Sequence, residues 1–147
     1  MIAVASDHGG LEMKQAICEL LQARGLEVLD LGPSDANSVD YPDFGVKVAT
    51  AVARGECASG VLVCGTGIGM SIAANKVDGI RAALVHDPFT AQMAKEHNNA
   101  NVLVLGGRVL SVAMGCRLVE VWLDSRFESG RHQERLDKIH QIEVDRK

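Results

Sequence analysis

The sequence lacks the features that mark membrane proteins and general nucleic-acid binders. No apolar run in its 147 residues approaches the roughly 20 residues that a membrane-spanning helix requires. The formal net charge is −4, so there is no surplus of Lys and Arg to displace counterions from a nucleic acid independently of its sequence. We therefore expect neither a membrane nor a nucleic acid among the partners of this chain.

The chain also lacks the cysteine spacings of a metal protein. Its cysteines, Cys18, Cys57, Cys64 and Cys116, include no C-x-x-C pair and no spacing typical of zinc ligands, so we expect no metal site. The first residues favour a strand over a secretory leader, which predicts reduced thiols in a cytoplasmic protein. No repeat or low-complexity segment divides the sequence, and residues 1–147 are predicted to form one domain.

The hydrophobic pattern alternates between strands and helices along the chain. Strands are predicted at 2–6, 27–31, 60–64, 81–85 and 102–105, and helices at 11–24, 44–54, 70–76, 88–97, 111–123 and 132–144. The segment 32–43, with two prolines, is the longest predicted loop. Such alternation predicts an α/β fold in which helices cover both faces of a five-stranded parallel sheet, a Rossmann-like arrangement of three layers.

The most informative stretch is 61–71, where an apolar run meets a thiol and three alternating glycines. Gly65, Gly67 and Gly69 let the backbone turn tightly, so that successive N–H groups can converge on an anion beside Cys64. The glycine spacing is not that of a dinucleotide-binding loop, and the Gly-Lys-Ser/Thr ending of a P-loop is absent. A buried cysteine at a strand end is often only a small apolar residue. A thiol beside a phosphate-sized socket nevertheless suggests an enzyme acting on a small phosphorylated molecule.

Polar residues follow three of the predicted strands. Asp7 and His8 come after the first strand, the Cys64 loop after the third, and Arg108 after the fifth. In open parallel sheets, ligands bind beyond the carboxyl ends of the strands. We therefore expect these residues to converge on one crevice.

Five segments of the chain resemble the type B ribose-5-phosphate isomerases, in the broader family that includes allose-6-phosphate and galactose-6-phosphate isomerases. They are 6–10 (SDHGG), 40–42 (DYP), 64–76 (CGTGIGMSIAANK), 96–98 (EHN) and 130–135 (GRHQER). Each segment is weak evidence alone, but their order and spacing together are specific. The resemblance extends over nearly the whole chain.

The resemblance implies that Cys64 is the base that moves a proton between C1 and C2 of an open-chain sugar phosphate through an enediolate. A subgroup of the family carries a glutamate base at the position of Met70, and methionine cannot accept a proton. Thr66 would steady a proton on the sugar oxygens, although a turn residue bonded to its own backbone explains it equally well. We expect the substrate to be bound by the loop that comprises Gly65, Thr66, Gly67, Ile68 and Gly69.

The resemblance also assigns the remaining substrate contacts. His97 would donate the proton that opens the furanose ring, and the alternative is a histidine that only offsets the dipole of its helix. Asn98 would hold a hydroxyl or the enediolate, and Tyr41 is either a pocket wall or an exposed loop aromatic. The resemblance implies sugar contacts from Asp7 and His8, and phosphate contacts from His8, Arg108, Arg131 and Arg135.

Two further alternatives concern the arginines and the reaction. Arg131 and Arg135 could instead form a solvated helix face paired with Glu128 or Glu134. A hexose 6-phosphate such as allose 6-phosphate could replace the pentose, and a phosphate- or nucleotide-binding module without turnover is a third reading. The resemblance implies no cofactor, and it implies a homodimer or a dimer of dimers whose active sites are shared, with the C-terminal helix reaching the partner.

Overall fold

Five short runs of aliphatic residues form one parallel sheet in a computed structural model that describes residues 1–147. The strand order is β2-β1-β3-β5-β4, and every neighbouring pair is parallel. The strands are β1 (Ile2–Ser6), β2 (Val28–Asp30), β3 (Ser59–Cys64), β4 (Ala82–Leu84) and β5 (Val102–Gly106). The predicted five-stranded parallel sheet is therefore confirmed.

Six α-helices connect and follow the strands. They are α1 (Leu11–Ala23), α2 (Tyr41–Ala53), α3 (Ile68–Ala74), α4 (Pro88–Glu96), α5 (Val112–Asp124) and α6 (Arg131–Asp145), and a short 3₁₀ turn, His8–Gly10, precedes α1. None of these helices is both long and apolar enough to cross a membrane.

The sheet separates two apolar cores because side chains alternate along each strand. Val61 and Val63 of β3 point to the core that α1, α4 and α5 cover. Leu62 and Cys64 point to the other core, which α2 and α3 cover. The fully buried Met70 belongs to that second core, so the position at which part of the family carries a glutamate is a packing position here.

Several element ends differ from those predicted. Helix α2 begins at Tyr41, not 44, because Pro42 occupies its first turn, where the missing N–H and the fixed φ of proline suit a helix start. The predicted loop 32–43 therefore ends at Asp40. Helix α3 begins at Ile68, not 70, directly after Gly67, whose φ of 80° completes the turn from β3. The edge strands β2 and β4 are each three residues long and shorter than predicted.

The path of α4 decides which residues lie near which edge of the sheet. This helix starts beyond the carboxyl end of β4 and runs back across one face, as the helix of a parallel crossover must. Its C-terminal end therefore lies at the amino edge, where β5 begins. Helix α6 lies at that same edge, because the carboxylate of Glu143 accepts the N–H of Gly79 at 3.0 Å and Arg146 pairs with Asp78 at 2.8 Å.

Candidate active site

A cleft of about 430 Å³ opens at the carboxyl ends of β1, β3 and β5. Its lining comes from the loops that follow these three strands and from the starts of α2 and α3. Asp7, the Cys64 loop and Arg108 therefore converge as predicted, whereas His8 is not among the lining residues. The lining residues are Asp7, Tyr41, Cys64, Gly65, Thr66, Ile68, Gly69, Ile72 and Arg108.

Cys64 is the last residue of β3 and is 4% exposed at the floor of the cleft. Its Sγ accepts a hydrogen bond from the N–H of Gly67 at 3.1 Å. A Cβ on Gly67 would lie 2.4 Å from Leu84 Cδ1, and the positive φ is itself unfavourable for other residues. Glycine is therefore required at position 67 to aim this N–H at the sulfur, where it is placed to stabilise negative charge.

Thr66 makes the hydrogen bond within its own turn that is expected if it is only a turn residue. The N–H of Ile68 donates to Thr66 Oγ1 at 3.3 Å, which closes the turn between β3 and α3. The hydroxyl still has its own proton to donate, and the residue is exposed at the cleft. The turn contact and a contact with substrate are thus compatible.

The loops after β1 and β5 add a carboxylate and a guanidinium. Asp7 Oδ1 accepts the N–H of Gly9 at 2.8 Å, which holds the carboxylate at the start of the 3₁₀ turn. A Cβ on Gly9 would lie 3.4 Å from Arg108 Nη2, and a Cβ on Gly65 would lie 3.3 Å from its Nη1. The Arg108 guanidinium therefore lies between the two loops, and it takes part in none of the ion pairs of the chain.

His8 is oriented by a loop that carried no predicted role. Its Nδ1 accepts a hydrogen bond from the N–H of Val39 at 3.2 Å. Since a neutral imidazole carries one N–H, this contact assigns the proton to Nε2 and makes that nitrogen a donor. A donor of this kind suits a phosphate oxygen.

Tyr41 lines the cleft and is the first residue of α2, so its interpretation as a loop residue is wrong, whereas its exposure is confirmed. Its ring packs so closely against Gly69 that a Cβ there would lie 2.4 Å from Tyr41 Cζ. Tyr41 is 40% exposed, and the same cleft is lined by Ile72, a residue that sequence reasoning missed. The sequence pattern could not single out Ile72, because its exposed position on α3 looks like that of any surface residue.

Four of the predicted site residues lie at the edge of the sheet opposite this cleft. His97 caps the C-terminal end of α4 and Asn98 follows it, at the amino edge of the sheet. Gly106 of β5 pairs with Cys64, and Val102 lies about 13 Å away along the strand at roughly 3.3 Å per residue. Arg131 and Arg135 start α6 at that same edge. These four residues therefore lie apart from the cleft of their own chain, and the single crevice predicted at the carboxyl ends of the strands did not include them.

At the amino edge, His97 belongs to a cluster with Glu128 and His132. The two imidazoles stack with ring centres 4.1 Å apart and planes inclined by 15°. Glu128 Oε2 lies 3.4 Å from His132 Nε2 and 4.0 Å from His97 Nε2. Glu128 thus pairs with histidines, and the alternative in which Glu128 or Glu134 pairs with Arg131 or Arg135 is wrong.

The three side chains of this cluster are close enough to suggest a metal centre, since their ligand atoms lie within 4.8 Å of one another. However, the lone pair of an imidazole nitrogen lies in the plane of its ring. Two nearly parallel rings 4.1 Å apart cannot both direct a lone pair at one ion. The arrangement suits ring stacking better than metal binding.

The remaining cysteines lie away from the cleft. Burial, reinforced by Asp30, raises the pKa of Cys18 to about 11. Burial also raises the pKa of Cys57 and of Cys116 above the ordinary thiol value. A raised pKa leaves less thiolate at neutral pH, so these thiols are poor nucleophiles, and Cys64 is the thiol in contact with the cleft.

The comparisons with known proteins agree over the full length of the fold. A family model described as ribose/galactose isomerase matches residues 2–139. Ribose-5-phosphate isomerase B of Escherichia coli is 45% identical over 142 residues, which are 97% of this chain and 95% of that protein. The ribose-5-phosphate isomerase B structure from Clostridium thermocellum has a TM-score of 0.98 at 50% identity and covers 99% of both chains. The Mycoplasma genitalium enzyme with bound ribulose-5-phosphate has a TM-score of 0.93 at 46% identity, over 97% of this chain and 95% of that one.

Proposed function

Because this chain belongs to the ribose/galactose isomerase family, and is therefore a sugar-phosphate isomerase, we propose that it interconverts ribose 5-phosphate and ribulose 5-phosphate. The names of its relatives support the pentose, and one relative holds ribulose-5-phosphate. The observation that carries the chemistry is the thiol of Cys64 at the floor of a cleft lined by backbone turns, a hydroxyl and a free guanidinium.

In the proposed reaction, Cys64 acts as a thiolate base. It removes the proton from C2 of open-chain ribose 5-phosphate, and the electrons of the C–H bond form a C1–C2 double bond as the carbonyl oxygen O1 becomes negative. Return of the proton to C1, with transfer of the O2 proton to O1, gives the ketone of ribulose 5-phosphate. Thr66 and the N–H groups of the loop are placed to stabilise the oxygens of this enediolate, and Asp7 to bind a hydroxyl.

The remaining groups act on the ring and the phosphate. His97 donates a proton to the ring oxygen when the furanose opens, and Asn98 holds a hydroxyl beside it. Arg131 and Arg135 supply guanidinium groups to the phosphate, since both are exposed on one face of α6 without an acidic partner. The other phosphate ligands are His8 and Arg108.

We infer that a second copy of the chain completes each site. The Cys64 cleft and the His97 cluster lie at opposite edges of the sheet, so one chain cannot bring them to the same sugar. Beside the cleft, Ile68 and Ile72 are 54% and 58% exposed and offer an apolar surface for the second copy. A homodimer with shared sites, alone or paired as a dimer of dimers, accounts for both observations. We also infer a cytoplasmic enzyme, supported by four unpaired cysteines.

An assay in heavy water tests the proposal. Because the proton held by the Cys64 thiol exchanges with solvent, turnover of ribose 5-phosphate should place deuterium at C1 of the product. The value of kcat/KM should be higher than for allose 6-phosphate, whose extra carbon the site has to accommodate. The Cys64→Ala variant should lose at least about 100-fold in kcat with little change in KM, because it removes the base and leaves the phosphate contacts.

The matched control for this assay is Cys116→Ala, which removes a thiol that lies away from the cleft. It should keep the wild-type rate. The proposal is wrong if the Cys64→Ala variant keeps its turnover or if the wild-type protein neither isomerises ribose 5-phosphate nor exchanges label. Binding of the sugar phosphate without either activity would identify a binding module.

A further inference from the structure

We propose that Glu128 and His132 are positioning residues for the ring-opening acid His97, an inference that rests on the proposed function. His132 stacks on His97 at 4.1 Å, and Glu128 Oε2 lies within 4.0 Å of the Nε2 atoms of both rings. His97 has 38% of its side chain exposed, whereas His132 is almost fully buried. The exposed ring is thus held on one face by a buried one, and its edge remains free for a substrate.

The backbone fixes this pair against the end of α4. The N–H of Glu128 donates to the carbonyl of Glu96 at 3.0 Å, one residue before His97. The next residues, Ser129 and Gly130, have φ values of 61° and 57°, which turn the chain sharply into α6 and bring His132 back onto His97. A left-handed conformation is unfavourable for a residue other than glycine, so the surrounding contacts must stabilise the turn at Ser129.

A second clamp acts on the other side of His97. Arg81 Nη2 donates to the carbonyl of Asn99 at 2.9 Å, and its Nε donates to the carbonyl of Asn98 at 3.2 Å. Asn99 also has a positive φ, of 44°. The backbone around His97 is therefore fixed by Arg81, which directly precedes β4, while its ring is fixed from α6 by His132. A histidine at the C-terminal end of a helix that only offset the helix dipole would need neither the Arg81 contacts nor the stacking of His132.

Orientation matters because proton transfer to a ring oxygen requires one imidazole nitrogen at hydrogen-bond distance along the correct line. A misplacement of about 1 Å can lower a rate by as much as roughly 100-fold. Stacking restricts rotation of the His97 ring about its side-chain bonds, and Glu128 fixes the partner ring on which it stacks. Together, the stacking and the Glu128 contact hold the His97 ring in one orientation before the sugar binds.

The test uses two reactions that differ in their need for ring opening. Ribose 5-phosphate closes to a furanose, whereas ribulose 5-phosphate stays open because its C5 oxygen carries the phosphate. Exchange of the C1 hydrogen of ribulose 5-phosphate with heavy water therefore requires Cys64 but not the ring-opening acid. Absence of both turnover and exchange in the wild-type protein would refute the proposed function, whereas the present inference concerns only the difference between the two rates.

His132→Ala should lower kcat for ribose 5-phosphate by about tenfold or more and leave KM and the exchange rate within about twofold. His97→Ala gives the reference for complete loss of the acid. His132→Phe should restore most of the turnover, because a phenyl ring can still stack. Glu128→Ala should show a smaller selective loss of the same kind.

The matched control is His140→Ala on the same helix. His140 also pairs with a glutamate, Glu143 at 3.5 Å, but it is exposed and stacks on no histidine. This variant should keep both rates. The inference is wrong if His132→Ala leaves turnover unchanged, or if turnover and exchange fall together, which would indicate a purely structural role. Thermal unfolding of each variant verifies that the compared proteins are folded.

Discussion

At the scale of single residues, Gly67 determines how the sulfur of Cys64 is presented to a substrate. Its N–H is the donor to Sγ, its φ is 80°, and its missing Cβ leaves room for Leu84 and the carbonyl of Leu105. Gly67→Ala should therefore destabilise the protein by about 1–3 kcal/mol and also lower kcat, since the loop must shift to admit the methyl group.

The measurement is thermal unfolding together with steady-state kinetics of this variant. Gly79→Ala is the matched control, because Gly79 has a φ of 87° but nothing within 4 Å of its Cβ position. It should lose stability through backbone strain and keep its kcat. Equal kcat values for the two variants would show that the Gly67 contact does not matter for catalysis.

Single residues also show what the sequence pattern contains and what it omits. Cys64, Thr66, Asp7 and Arg108 could be predicted to meet, because all follow strands of a parallel sheet and such positions share one edge. Glu128 and His132 were missed, although His132 lies inside the arginine segment of the resemblance. Their contact with His97 depends on the turn at 129–130, and a positive φ at a serine has no signal in the sequence.

At the scale of elements, a buried lysine connects α1 to the loop that orients His8. Lys14 is 2% exposed, and its Nζ donates to Asp30 Oδ1 at 2.8 Å and to the carbonyl of Pro33 at 2.7 Å. These contacts hold the end of β2 and the start of the following loop. That loop contains Val39, whose N–H donates to His8. The helical pattern of α1 predicted neither contact, because a lysine in the sequence of a helix looks the same whether its side chain is buried or exposed.

Lys14→Met should destabilise the protein by about 1–3 kcal/mol, because the carboxylate of Asp30 and the carbonyl of Pro33 lose their donor. It should also raise KM more than it lowers kcat, since His8 is a proposed phosphate ligand and lies far from the proton transfer. Chemical denaturation and kinetics measure both effects. The control is Lys47→Met on the exposed face of α2, which should change neither the stability nor the kinetic constants. An unchanged KM in Lys14→Met would show that Lys14 does not affect substrate binding.

The type of each element, helix or strand, was predicted correctly, whereas several of the first and last residues were not. Strand β1 begins and ends where its run of Ile, Ala and Val predicts, because all five of its residues are buried. Helix α2 starts earlier than predicted because Pro42 can start a helix as readily as it occupies a loop. The strand order could not be read from the pattern, since periodicity reports burial and not which strands are neighbours.

At the scale of the whole molecule, the parallel topology separates the proposed base from the proposed acid. Every crossover helix returns the chain to the amino edge of the sheet, so a residue at the end of α4 cannot reach the residue at the end of β3. The segments that resemble the isomerase family were thus correctly recognised as one set, but their distances along the sequence contained no information on this separation. The second copy of the chain that we propose would bring the two residues to one site.

Mixing two inactive variants tests this account most directly. Cys64→Ala and His97→Ala subunits are refolded together, and turnover of ribose 5-phosphate is compared with that of each variant alone. In a mixed dimer, one site receives an intact Cys64 and an intact His97, so random pairing should restore about a quarter of the wild-type activity. If the mixture contains mixed dimers but is no more active than the two variants separately, base and acid do not meet across subunits, and the account is contradicted.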